Sequence, residues 1–175
     1  MPRLIATRGL PASGKTSFAR TLQPAVARVN RDDLRRMLHG ERLFTQRAEY
    51  QVTLAQRAQV EALLRAGVSV CVDDTNLRSR TLRDWADLAA RYDADFEVHD
   101  FTDVPLDECL RRDATRAEAD RVGESAIRRL HERYLANRPL PLPVPTARTG
   151  RPARSTRPRP ARRRSCWWTS TARSR

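Results

Sequence analysis

Short apolar runs alternate along this chain with longer stretches whose apolar residues recur at helical spacing. Leu4 to Thr7 is the first run, and it ends at a glycine-containing loop. From Ser13 onward Phe18, Ala19 and Leu22 share a helical face, so the opening segment predicts strand, loop, helix. Ala27 to Asn30 predicts a second strand, followed by a polar helical turn over Asp32 to Leu38. Between Arg47 and Ala66, Val52, Leu54, Ala55, Val60, Leu63 and Leu64 predict one long amphipathic helix that Gly67 stops. Val68 to Val72 and Phe96 to Phe101 predict strands on either side of a helix over Thr81 to Tyr92, which carries Leu82, Trp85, Leu88 and Ala89 on one face. Leu106 to Arg112 and Ser125 to Leu135 predict two last helices, joined by a polar, mobile stretch over Asp113 to Glu124.

Strands that alternate with helices of this length imply parallel βαβ units, with ligands at the carboxyl ends of the strands. Pro139, Pro141, Pro143 and Pro145 alternate with apolar residues and predict an extended linker that closes a domain over residues 1–145. Residues 146–175 are rich in Arg, Pro, Ser and Thr, and too poor in apolar surface to fold alone, so they predict a disordered tail.

Charge sharpens that division. The 175 residues carry a formal +13, but the tail holds ten arginines and no acid, which leaves +3 for residues 1–145. Of the 34 basic residues Lys15 is the only lysine, in a position where a compact, mobile ammonium differs from a planar guanidinium. Three cysteines without CxxC spacing suggest neither a disulfide framework nor a zinc site, and no stretch approaches the length of a membrane span. A soluble, cytoplasmic protein without membrane association is expected.

Gly9, Gly14, Lys15 and Thr16 meet the pattern GxxxxGK[ST], after a predicted strand and before a predicted helix. In that pattern the loop through Gly9, Pro11, Ala12, Ser13 and Gly14 wraps the phosphates, and its backbone N–H groups, which Pro11 lacks, are the donors. Lys15 reaches the β and γ oxygens, and the Thr16 hydroxyl ligates magnesium. ATP and Mg2+ are therefore the expected cofactors. At the end of the second strand stands Asn30-Arg31-Asp32-Asp33-Leu34-Arg35, where a carboxylate would face the γ-phosphate. The same aspartates also suit helix capping. Asp73-Asp74-Thr75-Asn76 follows the third strand and reads either as a metal-supporting aspartate site or as a turn. Arg111, Arg112, Arg116 and Arg121 crowd the polar stretch and read either as a lid or as a solvated charge run.

Taken together, GLPASGKT, NRDDLR, DDTNLRSRTLRDW and RRDATR make residues 4 to about 145 resemble the kinase domain of the bacteriophage and bacterial polynucleotide kinase family. The resemblance implies an α/β fold: a three-layer P-loop kinase with a parallel sheet of about four to five strands flanked by helices. It implies transfer of the ATP γ-phosphate to a 5′-hydroxyl end of DNA or RNA. In that reading Asp32 is the general base and Arg35 contacts the acceptor's phosphate. Asp74, with Thr75 and Asn76, builds the acceptor site, and Arg116, beside Arg112, is the lid arginine. Two positions depart from the family pattern: Asp113 stands where asparagine is usual, and Gly123 where proline is common. A P-loop kinase for a small-molecule hydroxyl, or a nucleotide-dependent nucleic-acid-binding module, are the alternative functions. Nothing in the sequence sets the oligomeric state.

In much of that family a phosphatase domain follows, opening on a strand with an aspartate motif. Codons for Ser165 to Ser174 can encode Val-Leu-Val-Asp-Val-Asp-Gly-Thr-Leu one frame over, so the tail reads as an out-of-frame remnant of such a domain. The rival reading is a basic tail that binds nucleic acid through phosphate contacts.

Overall fold

The first apolar run becomes a central strand because its alternate residues find cover on opposite faces. A computed structural model describes residues 1–148, and within it β1 (Arg3–Arg8) pairs in parallel with two neighbours. These are β3 (Val70–Val72) and β4 (Asp95–Asp100). The strand β2 (Ala27–Val29) pairs in parallel with β3, giving the order β2-β3-β1-β4. The described residues thus hold four strands, within the expected range.

Leu4, Val70 and Val72 point to one face of this sheet and Ile5 and Cys71 to the other, the period of two that a strand imposes. On the first face lie α2 (Arg31–His39), α3 (Gln46–Arg65) and α4 (Ser79–Arg91), whose Leu34, Val52, Val60, Leu64, Trp85 and Leu88 fill the larger core. Full burial of each such side chain contributes about 1.5–3 kcal/mol. On the second face α1 (Lys15–Thr21) covers Ile5 and Cys71 with Phe18, Ala19 and Leu22. A third cluster gathers Leu10, Leu77, Cys109 and Ile127 with α5 (Leu106–Ala114) and α6 (Glu124–Tyr134). The sheet and its helices form the three expected layers.

Two sequence expectations change. Leu54 is 59% exposed, because α3 buries a narrower stripe through Ala48, Val52, Gln56, Val60 and Leu64. The stretch expected to be a mobile connection extends α5 to Ala114 and holds a single 3-10 turn over Glu118–Asp120, tied to α2 and the loop after it.

The proline segment packs as a strap. Leu142 is buried with Leu10 and Ile127, and Arg8, 1% exposed, donates to the carbonyls of Leu142 and Pro143 and to the Asp100 carboxylate. Arg148 continues it with ion pairs to Asp84 and Asp87 on α4. Both readings of the arginine tail concern residues that, from 149 on, lie outside the described residues. Among the described residues no helix is long and apolar enough to cross a membrane.

Candidate active site

The parallel register brings the carboxyl ends of β1, β2 and β3 together, and with them the three polar motifs. The Gly9 N–H donates to the Thr75 carbonyl at 3.0 Å, which joins the glycine loop to the turn after β3. Only glycine fits there: a Cβ on Gly9 would lie 2.9 Å from the Phe101 Cβ and 3.0 Å from its carbonyl oxygen. The Asn30 amide donates to the Asp73 carbonyl, which joins the end of β2 to the same turn.

Within the loop Lys15 is buried, and its ammonium donates to the Leu10 carbonyl and, at 3.2 Å, to the Ser13 hydroxyl. Burial lowers its pKa to about 8. The Thr16 hydroxyl donates to Asp73 Oδ1 at 3.3 Å. Asp73 is itself buried and fixed by Arg28 Nε at 2.8 Å. Of the two adjacent aspartates, Asp73 therefore meets the loop threonine. Asp74 turns the other way, accepting from the Gln56 amide and the Arg31 N–H, and burial raises its pKa to about 7. Asn76 uses its amide on the Thr7 carbonyl at 2.8 Å, pinning the turn to β1.

The cap of α2 and the Asp32 carboxylate are separate groups. Asn30 is the cap, its side-chain oxygen accepting from the N–H groups of Asp32 at 2.9 Å and Asp33 at 3.1 Å. This leaves the Asp32 carboxylate, 42% exposed, free to face the cavity beside the glycine loop. Arg35 holds Asp32 at 2.7 Å and is itself gripped by Glu49, Nε to Oε1 at 2.6 Å and Nη2 to Oε2 at 2.9 Å.

That cavity encloses about 700 Å³ and joins Lys15, Thr16 and Asp73 to Asp32 and Arg35. Its lining carries six cationic and three acidic side chains, an excess suited to an anionic ligand. Pro11, Ala12, Asp74 and Thr75 contribute to the wall, and Arg116 and Arg121 reach it from the segment between α5 and α6. Arg112, held by Glu108 at 2.6 Å, borders a smaller recess with Gly14, Lys15, Thr16 and Arg116. Of the four arginines Arg112, Arg116 and Arg121 border these recesses, and Arg111, 66% exposed, stays in solvent. Arg36 pairs with Asp120, and Arg42 donates to the Ala119 carbonyl at 3.0 Å, tying the segment to α2 and the loop after it.

Glu49, Arg42 and Phe44 were not found by sequence reasoning. Glu49 sits on α3 in what reads as an ordinary helix face, and the loop between α2 and α3 matches no motif. An acid in the first turn of a long helix gives no hint that it will bind two arginines of another segment.

Hard-cation ligation fits the Thr16 hydroxyl with the Asp73 carboxylate, an all-oxygen pair. Among the described residues no three His, Cys, Asp or Glu side chains converge, as is ordinary for magnesium, which takes one or two carboxylates and completes its shell from water and phosphate.

The fold is that of a P-loop kinase, and that fold implies use of a nucleotide. The AAA domain family matches residues 4–141, and the chain belongs to that family. It is 27% identical over 146 residues to a protein of Autographa californica nuclear polyhedrosis virus assigned as a bifunctional polynucleotide kinase/RNA ligase, covering 76% of this chain. A chain of the Pnkp1/Rnl/Hen1 RNA repair complex superposes with a TM-score of 0.67 at 32% identity, over 85% of this chain. The Mycobacterium tuberculosis APS kinase CysC, solved with AMPPNP and APS, shares the fold at 23% identity and a TM-score of 0.52, over 65% of this chain and 69% of its own. The chain spans about a fifth of the viral relative's length, 21%, and half, 50%, of the repair-complex chain.

Proposed function

We propose that this chain transfers the γ-phosphate of ATP to the 5′-hydroxyl end of DNA or RNA, with magnesium. The observation that carries the reading is the single cavity shared by Asp32 and the Lys15, Thr16 and Asp73 cluster, with its excess of arginine. The sequence relationship to a polynucleotide kinase/RNA ligase supports the choice of acceptor.

In this reading the loop amides and Lys15 bind the β and γ oxygens, and Arg116 reaches the transferring group from the segment between α5 and α6. Thr16 and Asp73 would hold magnesium, which would supply neutralisation of phosphate charge. Asp32 accepts the acceptor's proton as the hydroxyl oxygen attacks phosphorus, and the bond to the bridging oxygen of the departing ADP breaks. Arg35, oriented by Glu49, keeps the Asp32 carboxylate turned to the acceptor. Asp74 and Thr75 shape the acceptor wall, and Asn76, outside the cavity, pins the turn that carries them. A cytoplasmic setting goes with this chemistry, since the reaction consumes ATP.

Transfer of labelled phosphate from ATP to a 5′-hydroxyl oligonucleotide tests the proposal. Folded, nucleotide-binding protein that labels no oligonucleotide would sink it and return the acceptor to the small-molecule class. Asp32→Asn should abolish transfer and leave nucleotide binding intact.

A further inference from the structure

The loop between α2 and α3 carries two groups that the reaction as described leaves unused. Phe44 is 62% exposed, although it is a large aromatic at the mouth of the same cavity as Asp32. Two guanidinia hold its ring, Arg35 at 4.8 Å and Arg42 at 5.7 Å from the centroid. Arg42 is largely buried and lines the cavity, yet its Nε has no hydrogen-bond partner among the described residues. It lies 3.5 Å from Asp32 Oδ1 without the alignment of a hydrogen bond. Arg35, by contrast, has Nε and Nη2 on Glu49 and Nη1 on Asp32.

An exposed aromatic ring beside two guanidinia offers a stacking platform, and a largely buried guanidinium with an unused donor offers a phosphate site. We propose that this loop reads the end of the polynucleotide: Phe44 stacks on the base of the 5′-terminal nucleotide, and Arg42 donates to the first phosphodiester after it. The inference rests on the polynucleotide reading above and assigns its acceptor subsite. It also distinguishes the acceptor from a small hydroxyl compound, which has neither a base nor a second phosphate to offer.

The full chain, saturated with ATP, supplies the test. Phe44→Ala is expected to raise the oligonucleotide KM about 5- to 100-fold, the range of one lost base stack, with kcat at saturating acceptor retained. Phe44→Trp should keep the original KM. An oligonucleotide with an abasic 5′-terminal residue should bring the unaltered chain to the Phe44→Ala level and cost that variant nothing further. Replacing the first phosphodiester by a neutral methylphosphonate should weaken the unaltered chain about 10- to 100-fold and leave Arg42→Ala indifferent to the change. Unchanged KM in Phe44→Ala, or a loss equal on normal and abasic ends, would overturn the inference while the kinase activity stood. Absence of any oligonucleotide phosphorylation would remove the reading it rests on and the inference with it.

Discussion

The Asp113 carboxylate accepts hydrogen bonds from the backbone N–H of Gly123 at 2.9 Å and of Val122 at 3.1 Å, and so ties the end of α5 to the start of α6. Asp113 and Gly123 are also the two positions that depart from the family pattern, and the contact shows them to be one departure. A proline at 123 has no N–H to give, and Asp113 is 3% exposed, so its oxygens need donors from the protein. Gly123 has φ of 90°, which proline cannot adopt. Gly123→Pro is therefore expected to cost about 2–4 kcal/mol, a fall in Tm of roughly 5–12 °C for a chain of this size. Asp113→Asn keeps one acceptor and should lose less. Thermal melts of the two variants check the order, and equal melting of Gly123→Pro and the unaltered chain would dismiss the contact.

The strap extends the kinase unit past the last helix. Arg8 is buried with donors on the Leu142 and Pro143 carbonyls, and a chain ending at Leu140 would strip both acceptors from a buried cation. Removing one partner of a buried charge typically costs about 3–5 kcal/mol. A chain ending at Arg148 should melt with the full chain and bind nucleotide as well, whereas one ending at Leu140 should melt well below both. Equal melting of the two truncations would place the strap outside the unit.

The sheet, most helices and three motifs were readable because each is local: a glycine loop after an apolar run, or two aspartates after another, is complete within a dozen residues. Even the capping reading of Asp32 turned on a neighbour, since Asn30 takes the cap. What stayed hidden depends on segments meeting in space. Asp73 could be told from Asp74 only once Thr16 stood beside it. The role of Glu49 needed α3 to cross α2, and the segment between α5 and α6 looked mobile because its anchors, Arg36 and Arg42, lie about eighty residues earlier in the chain. Leu54 misled for the opposite reason, an apolar residue at helical spacing for which no partner arrives.

Glu49 makes the arrangement around Asp32 sensitive to acid. Hydrogen bonds from Arg35 and then Arg31 hold its carboxyl below the usual 4.5. A folded-state pKa below the unfolded one contributes stability that is fully present above about 4.5 and is lost as pH falls through the folded value. Glu49→Gln should lower stability near neutral pH by about 1–3 kcal/mol and narrow that gap as pH falls below 4.5. Denaturant titrations of both proteins across that range measure it. A gap that does not change with pH would mean the charge contributes nothing.

If Lys15 binds the phosphates as proposed, it sets a pH limit on nucleotide binding. Burial holds its pKa near 8 in the free chain, well under the ordinary 10.5, and its donors rest on the loop's own Leu10 and Ser13 oxygens. Phosphate oxygens arriving in the loop favour the charged ammonium and raise that pKa, so binding at alkaline pH must take up a proton. Affinity for a nonhydrolysable ATP analogue should accordingly be level below about pH 8 on this group's account and fall as pH rises through it. Calorimetry in buffers of different ionisation enthalpy should register proton uptake above pH 8. In Lys15→Arg, whose guanidinium stays charged throughout, both the fall and the uptake should vanish even if binding is weaker. An affinity that is flat to pH 10 in the unaltered chain would mean the lysine is already fully charged on its bed of carbonyl and hydroxyl oxygens.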